Sequence, residues 1–171
     1  MGAMNLDDIQ SGSLCVADTN VMLYAEQGRS TQCRRFLQRC ATGELLIVLP
    51  QTVWHELTHK LMLAEALMIG GIAGPAPASK LARKPDLVKG LSLYKQKIAA
   101  LFQIGLGFEA NTREDLLDRA FAYQKKYGFL TNDSLILATA VRLKADVLVT
   151  ADTAFADIRE LSVAMPSDLQ S

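Results

Sequence analysis

The sequence predicts an α/β fold with a mainly parallel central sheet. Two short apolar runs, at residues 14–17 and 45–49, have no polar side chain to direct toward water, which is typical of strands buried on both faces. A third run, at residues 146–150, carries Val-Leu-Val at its centre. Helical patterns separate these runs, and strands that alternate with helices form parallel sheets. Half of the 171 residues are hydrophobic and 21% are charged, so one globular domain is expected.

The first half of the chain divides into two strand–helix units. The run at 14–17 leads directly into a helix, and a polar helical segment then continues to Gly43, since glycine commonly follows a last helical turn. The run at 45–49 is stopped by Pro50, because proline donates no hydrogen bond to a neighbouring strand. A long helical pattern covers residues 52–69. Its second half is apolar on nearly all sides, which indicates a central position or a dimer surface, and a homodimer is expected.

The second half of the chain predicts the rest of the fold. Glycine and proline residues mark a loop over residues 70–85, and one helix is expected over residues 87–103. The pattern Thr112-x-x-Asp115 is a capping box, in which each side chain bonds the backbone of the other, so a helix starts there. The remaining expected elements are a strand at 108–111, the end of the capped helix at 127–128, a helix capped by Thr131 or Asn132, and an edge strand at 161–165.

These elements predict a single domain over residues 14–166. Residues 1–4 (MGAM) resemble the scar of an expression vector and are excluded from the predicted fold. Cys15, Cys33 and Cys40 are odd in number and lack C-x-x-C spacing, which indicates a reduced, cytoplasmic protein without a disulfide framework or zinc knuckle. No apolar run reaches about 18 residues, so no membrane segment is expected. The formal net charge is zero, so any binding of nucleic acid requires a local patch.

Four acidic residues are brought by these elements to one edge of the sheet. In a parallel sheet the strand ends that lead into helices share one side, where open α/β folds bind ligands. Two of the acids follow strands, one lies about a turn into the helix after the second strand, and one begins a helix. They are Asp18, Glu56, Asp133 and Asp152, here called the acidic quartet. The alternative role of Asp18 or Thr19 is to cap the helix that follows.

The acidic quartet predicts a metal site. Four carboxylates held together are unstable, because like charges raise one another's pKa. Mg²⁺ or Mn²⁺ relieves this repulsion, since hard divalent cations prefer oxygen ligands and take one or two carboxylates each, with water and substrate phosphate in the remaining positions. Two such ions can hold both the attacking and the leaving oxygen of a phosphodiester. The quartet therefore indicates metal-assisted hydrolysis of a phosphodiester bond.

Four sequence blocks carry a resemblance to a known family. They are residues 16–21 (VADTNV), Glu56 in a helix after a strand, residues 131–138 (TNDSLILA) and residues 148–155 (LVTADTAF). In this order they resemble the sequence blocks of the PIN-domain nucleases. Within that family the chain is most similar to VapC-type toxins of bacterial toxin–antitoxin pairs. The blocks extend over residues 14–158, which is nearly the whole chain.

The resemblance implies both a fold and an activity. The fold is a PIN-like, Rossmann-like α/β/α sandwich of three layers with a central, mainly parallel sheet. The activity is Mg²⁺- or Mn²⁺-dependent cleavage of RNA, with the acidic quartet as catalytic metal ligands and Asp157 as a further candidate ligand. Asn20 and Thr150 would support the ligands and the attacking water by hydrogen bonds. Toxin status implies an antitoxin protein as partner.

Basic residues concentrate in one part of the chain. Between Lys60 and Lys97 there are seven basic residues and two acidic ones. Residues 70–97, here called the insertion, form a segment longer and richer in glycine and proline than is expected of a compact VapC toxin. A solvated face is the simpler explanation of this charge, and a surface for RNA phosphates is the functional one. The predicted RNA contacts are Lys80, Arg83, Lys84 and Lys89.

Three other functions compete with the nuclease. His55-Glu56-Leu57-Thr58-His59 matches H-E-x-x-H, in which two histidines bind zinc and the glutamate is the general base of a protease. The chain has no further histidine, and Glu65 lies too near in sequence to complete that site from the same helix. A PIN-fold binding or scaffold protein without catalysis is the second alternative. A phosphatase of the haloacid-dehalogenase type is disfavoured, because Asn20 stands where a second aspartate is needed.

Overall fold

The computed structural model describes residues 3–169, which form a parallel six-stranded sheet and eight α-helices. The strands are β1 (Met4–Asn5), β2 (Leu14–Ala17), β3 (Leu46–Pro50), β4 (Gly107–Glu109), β5 (Val147–Val149) and β6 (Ser162–Met165). The helices are α1 (Thr19–Glu26), α2 (Thr31–Ala41), α3 (Gln51–Met68), α4 (Pro77–Ala82), α5 (Pro85–Gly90), α6 (Leu93–Gln103), α7 (Phe121–Tyr127) and α8 (Thr131–Arg142). The predicted three-layer α/β fold is confirmed. None of the described helices is long and apolar enough to cross a membrane.

The strand order places β2 at the centre of the sheet. The order is β1-β6-β5-β2-β3-β4, and every neighbouring pair is parallel. Val16 of β2 lies opposite Val48 and Leu148, and both Val16 and Leu148 are fully buried. The chain continues from β2 to β3 on one side and returns as β5 on the other. The carboxyl ends of β2 and β5 therefore form the topological switch point, where open α/β sheets bind ligands.

The fold begins before residue 14, which corrects the predicted boundary. Met4 pairs with Ala164, so β1 is the outermost strand and β6 is not the edge strand that was predicted. Leu6 and Ile9 are buried in the main core. A two-residue strand has no measurable period, and this is why the sequence pattern did not reveal it. Met4 of the predicted scar thus belongs to the sheet, while residues 1 and 2 lie outside the described part of the chain.

Residues 77–103 form three helices, α4, α5 and α6, so the prediction of a loop over residues 70–85 and one continuous helix over residues 87–103 was wrong. Glu65 of α3 explains the break between α5 and α6. Its carboxylate accepts hydrogen bonds from the backbone N–H groups of Ser92, Leu93 and Tyr94 at 2.9, 3.0 and 2.8 Å. Burial raises the pKa of Glu65, but these bonds more than offset it, and the pKa lies below its ordinary value. A long-range cap of this kind has no signature in local sequence.

Candidate active site

Asp18 lies at the switch point, directly after the central strand. Its backbone N–H donates to the carbonyl of Val149 at 2.9 Å, which extends the pairing of β2 with β5. Asp18 occupies the N-cap position of α1, but its side chain makes no capping hydrogen bond. The carboxylate is only 6% exposed, and its Oδ2 accepts a hydrogen bond from Oγ1 of Thr150 at 3.0 Å. The structure therefore excludes capping as the role of this acid.

Thr150 holds Asp18 through a hydrogen bond of fixed direction. The hydroxyl of Thr150 accepts from the backbone N–H of Asp152 at 3.0 Å. Because an amide N–H can only donate, the hydroxyl proton of Thr150 is directed at Asp18. Burial raises the pKa of Asp18, and this hydrogen bond acts against that rise by stabilising the charged form. Thr150 thus links the ends of two adjacent strands and orients the carboxylate of Asp18.

Glu56 reaches the same edge from α3 and has both oxygens engaged. Its Oε2 accepts from the hydroxyl of Thr19 at 3.2 Å, and its Oε1 forms an ion pair with Lys60 at 2.7 Å. Neither partner has a predicted role at the site. The spacing of four residues between Glu56 and Lys60 is a signal that could have identified the ion pair. The contact with Thr19 joins separate elements and depends on the fold.

Asp133 completes the acidic quartet from the first turn of α8. Burial raises its pKa to about 6, and the negative charges of Asp152, Asp18 and Glu56 add to the rise in that order. Asp133 therefore lies within electrostatic reach of the other three acids. The quartet, which the sequence places on four different elements, is gathered at one edge of the sheet.

The start of α8 explains how Asp133 reaches this edge. The N-cap position is Leu130, so the prediction that Thr131 or Asn132 caps the helix was wrong. The side chain of Asn132 instead turns toward α3, where its Oδ1 accepts a hydrogen bond from the hydroxyl of Thr52 at 3.0 Å. Since Thr52 lies one turn before Glu56, this bond holds the beginning of α8 beside the glutamate.

A comparison with protein-family models matches residues 15–161 to the PIN domain, which is most of the chain. The chain belongs to the PIN domain family. PIN domains are generally nucleases, so membership supports hydrolysis of nucleic acid. A comparison with curated protein sequences gave no match.

Solved structures of similar fold include three that align with most of this PIN domain. The first is VapBC2 from Rickettsia felis bound to a DNA fragment from their promoter, at 17% identity, covering 88% of this chain and 96% of that chain with a TM-score of 0.55. The second is a toxin–antitoxin complex from Klebsiella pneumoniae, at 20% identity, 86% and 94% coverage and a TM-score of 0.55. The third is FitAcB from Neisseria gonorrhoeae, at 18% identity, 88% and 96% coverage and a TM-score of 0.51. At these identities the likeness concerns the fold alone.

Several predicted residues do not join the quartet of this PIN domain. The side chain of Asn20 makes no hydrogen bond within the described residues, whereas those of Thr19 and Thr150 bond Glu56 and Asp18. Asp157 is exposed and is not among the charges that raise the pKa of Asp133. His55 and His59 are exposed, and Glu65 is engaged with the start of α6. The zinc-protease alternative therefore has no third ligand on this helix.

Three of the four predicted RNA contacts have partners inside the insertion. Lys80 donates to the carbonyl of Ala73, and Lys84 donates to the carbonyl of Gly71 at 2.7 Å. Lys89 pairs with Asp86 at 2.8 Å, an exposed pair that contributes little to stability. Among the four predicted RNA contacts, only Arg83 has no hydrogen bond or ion pair from its side chain within residues 3–169. Lys80 and Lys84 thus close the glycine-rich turn, and contact with RNA remains a prediction.

The donor set of the quartet fits a hard divalent cation, because it consists of carboxylate oxygens that repel one another. Within the described part of the chain, no three His, Cys, Asp or Glu side chains are positioned to hold a metal ion as they stand. Both carboxylate oxygens of Glu56 are engaged, with Thr19 and Lys60. Mg²⁺ and Mn²⁺ need only one or two carboxylates with water in the other positions, so one or two members of the quartet are enough to bind such an ion.

Proposed function

We propose that this PIN domain is a Mg²⁺- or Mn²⁺-dependent endoribonuclease of the VapC toxin type. The observation that carries the proposal is the convergence of the acidic quartet at the switch point, where Thr150 links Asp18 to Asp152 and Thr19, next to Asp18, bonds Glu56. Burial, followed by the charges of the other three acids, raises the pKa of Asp133 there. A half-buried group of like charges costs stability, and a bound cation offsets that cost. The alternative of a PIN-fold scaffold protein without catalysis does not explain why these four acids lie together.

The members of the quartet have different parts in the proposed mechanism. A divalent cation held here supplies Lewis-acid stabilisation to the attacking water and the leaving 3′-oxygen. Asp18 and Asp152 would hold it at the strand ends, where Thr150 fixes the Asp18 carboxylate. Asp133 would approach from α8. Glu56 would join after releasing Lys60, since a partly exposed ion pair four residues apart on a helix is worth only about 0.5 kcal/mol.

The test of this function is the cleavage of single-stranded RNA by the purified wild-type chain. Cleavage is expected with Mn²⁺ or Mg²⁺ and none with EDTA. Because water attacks phosphorus and the 3′-oxygen leaves, the products should carry 5′-phosphate and 3′-hydroxyl ends. Cleavage that survives EDTA and leaves 2′,3′-cyclic phosphate ends would contradict the mechanism. If total cellular RNA stays intact at all Mn²⁺ concentrations, the scaffold alternative is correct.

An antitoxin protein is the proposed partner. One of the similar structures is a toxin–antitoxin complex, which supports this assignment. An antitoxin segment that covers the quartet would neutralise part of its negative charge by placing an arginine among the carboxylates.

A homodimer is also proposed, because the end of α3 exposes three consecutive apolar side chains, Leu67, Met68 and Ile69, at 43, 67 and 56%.

Reversal of charge in the insertion tests its contact with RNA. The triple variant Lys80→Glu, Arg83→Glu and Lys84→Glu should bind single-stranded RNA at least about 10-fold more weakly and with a flatter salt dependence, because fewer counterions are released. Fluorescence anisotropy across a salt series measures both quantities. Since Lys80 and Lys84 also close a turn, Arg83→Glu alone is the matched control for local unfolding. Wild-type affinity and salt slope in both variants would show that the insertion is only a solvated face.

A further inference from the structure

A polar cleft of about 420 Å³ opens beside the acidic quartet. The first turn of α3 forms one wall, and the segment before α7 forms the other, with Leu116 among the apolar lining residues. The cleft adjoins the quartet, because its lining residue Thr52 lies one turn before Glu56 and bonds Asn132, the residue before Asp133. His55, which precedes Glu56, also lines it. A molecule held in this cleft would therefore lie next to the proposed site of cleavage.

Two amide side chains in the cleft have orientations that the surrounding hydrogen bonds fix. The Oε1 of Gln51 accepts from the backbone N–H of Asn111 at 3.2 Å, so the NH₂ group of Gln51 is left to donate. The side-chain NH₂ of Asn111 donates to the hydroxyl of Thr139 at 3.1 Å. That hydroxyl must accept, because it gives its own proton to the carbonyl of Leu135 at 2.9 Å. The Oδ1 of Asn111 is thus left as an acceptor.

The cleft therefore offers a donor and an acceptor that have no partner among the described residues. Arg113, which also lines the cleft, is exposed and forms no ion pair within residues 3–169. A guanidinium group binds phosphate in a bidentate manner, and the exposed ring of His55 offers a face on which a base can stack. A fixed donor and acceptor beside a free cation and an aromatic ring match one nucleotide of an unpaired strand.

We infer that this cleft binds the nucleotide next to the scissile phosphate of single-stranded RNA, an assignment that rests on the proposed nuclease function. Gln51 and Asn111 bond the edge of the base, and Arg113 bonds a phosphate of the same strand. Base pairing would hide the Watson–Crick edge, so the cleft selects unpaired RNA. Gln51→Glu keeps the oxygen that accepts from Asn111 but replaces the donor by an acceptor. This variant should shift preference toward guanine, which presents two adjacent donors on that edge.

The experiment measures binding in EDTA, so that it does not depend on cleavage. Fluorescein-labelled hexanucleotide RNAs that differ in one central base are titrated by anisotropy. Arg113→Glu should weaken all of them by about 10-fold or more, and Gln51→Leu should weaken them by about 10-fold. Gln51→Glu should favour the guanine RNA. Arg159→Glu, an exposed charge on the far side of the sheet next to β6, is the matched control and should stay within about 2-fold. Circular dichroism checks that each variant is folded.

Each outcome decides between the cleft and the nuclease. If the wild type does not bind these RNAs, or if folded Arg113→Glu and Gln51→Glu bind all of them as the wild type does, the cleft assignment is overturned. Cleavage with Mn²⁺ that persists alongside such unchanged binding leaves the nuclease function standing without the cleft. The expected pattern of binding without any metal-dependent cleavage keeps the cleft as a binding site for single-stranded RNA, but removes the nuclease function and with it the position next to a scissile phosphate.

Discussion

Replacement of Asp18 by Asn should abolish Mn²⁺-dependent cleavage of RNA. The loss of rate should be at least about 100-fold, the upper end of what removal of a residue that merely supports a metal ligand costs. The variant is nearly isosteric, and its amide oxygen can still accept from Thr150, so the fold should persist. Asp152→Asn should have a similar effect, since it removes a carboxylate at the adjacent strand end. Initial rates on a labelled RNA at saturating Mn²⁺ measure both variants.

Three other variants serve as comparisons for Asp18→Asn. Thr150→Val keeps the shape of the side chain but removes the hydroxyl, so a loss of about 10-fold is expected. His59→Ala should retain most activity, because the oxygen site is complete without imidazole. Asp157→Asn decides whether that exposed acid contributes. If zinc co-purifies in stoichiometric amount, is stripped by His59→Ala, and Asp18→Asn remains active, the nuclease assignment fails and the protease alternative is favoured.

Replacement of Asp133 by Asn should stabilise the metal-free protein. A pKa raised from 3.8 to about 6 corresponds to about 3 kcal/mol of unfavourable free energy at neutral pH. Partial exposure of the side chain reduces the expected gain to about 2 kcal/mol, or about 6 °C in Tm for a chain of this size. Thermal unfolding in EDTA measures it. Asp118→Asn, which removes an exposed carboxylate with no ion pair in the described residues, is the matched control.

The stabilisation by Asp133→Asn should depend on pH and on metal. Because the folded pKa of Asp133 lies above its unfolded value, ionisation costs the wild type stability as pH rises from about 4 to about 6, and the cost is constant above that. The difference in Tm between variant and wild type should be absent below pH 4 and full above pH 6. Saturating Mn²⁺ should reduce this difference in Tm, because it stabilises the wild type more than the variant. A difference that is independent of both pH and Mn²⁺ would contradict a repulsive quartet.

The sequence predicted the sheet and the acids better than the contacts between them. Buried strands such as β2 have continuous apolar runs, and the acid that follows each run lies at the strand end by geometry alone. Asp18 could be placed in this way. The position of Asp133 at the same edge could not be predicted, because it depends on the hydrogen bond between Thr52 and Asn132, which are eighty residues apart on two helices.

The same distinction explains the other differences. Local periodicity predicts one helix over residues 87–103, but the chain breaks before α6. Three backbone N–H groups at the start of α6 donate to the carboxylate of Glu65 on α3, and these bonds outweigh helical continuity. Thr19 resembles a helix-capping residue in sequence, yet its hydroxyl donates to Glu56. Tertiary hydrogen bonds to charged groups are each worth about 1.5–3 kcal/mol, more than the few tenths that separate local preferences. The polar cleft was missed for this reason as well, since its amide orientations depend on neighbours far along the chain.

Direct titration with Mn²⁺, followed by the electron paramagnetic resonance signal of the free ion, tests the central claim most directly. The wild type should bind at least one Mn²⁺ per chain at millimolar concentrations or below, and Mg²⁺ should compete for the same site. The double variant Asp18→Asn and Asp152→Asn should lose this binding, whereas His59→Ala should keep it. Undiminished Mn²⁺ binding by the folded double variant, or no binding by the wild type, would contradict a metal site built from the acidic quartet.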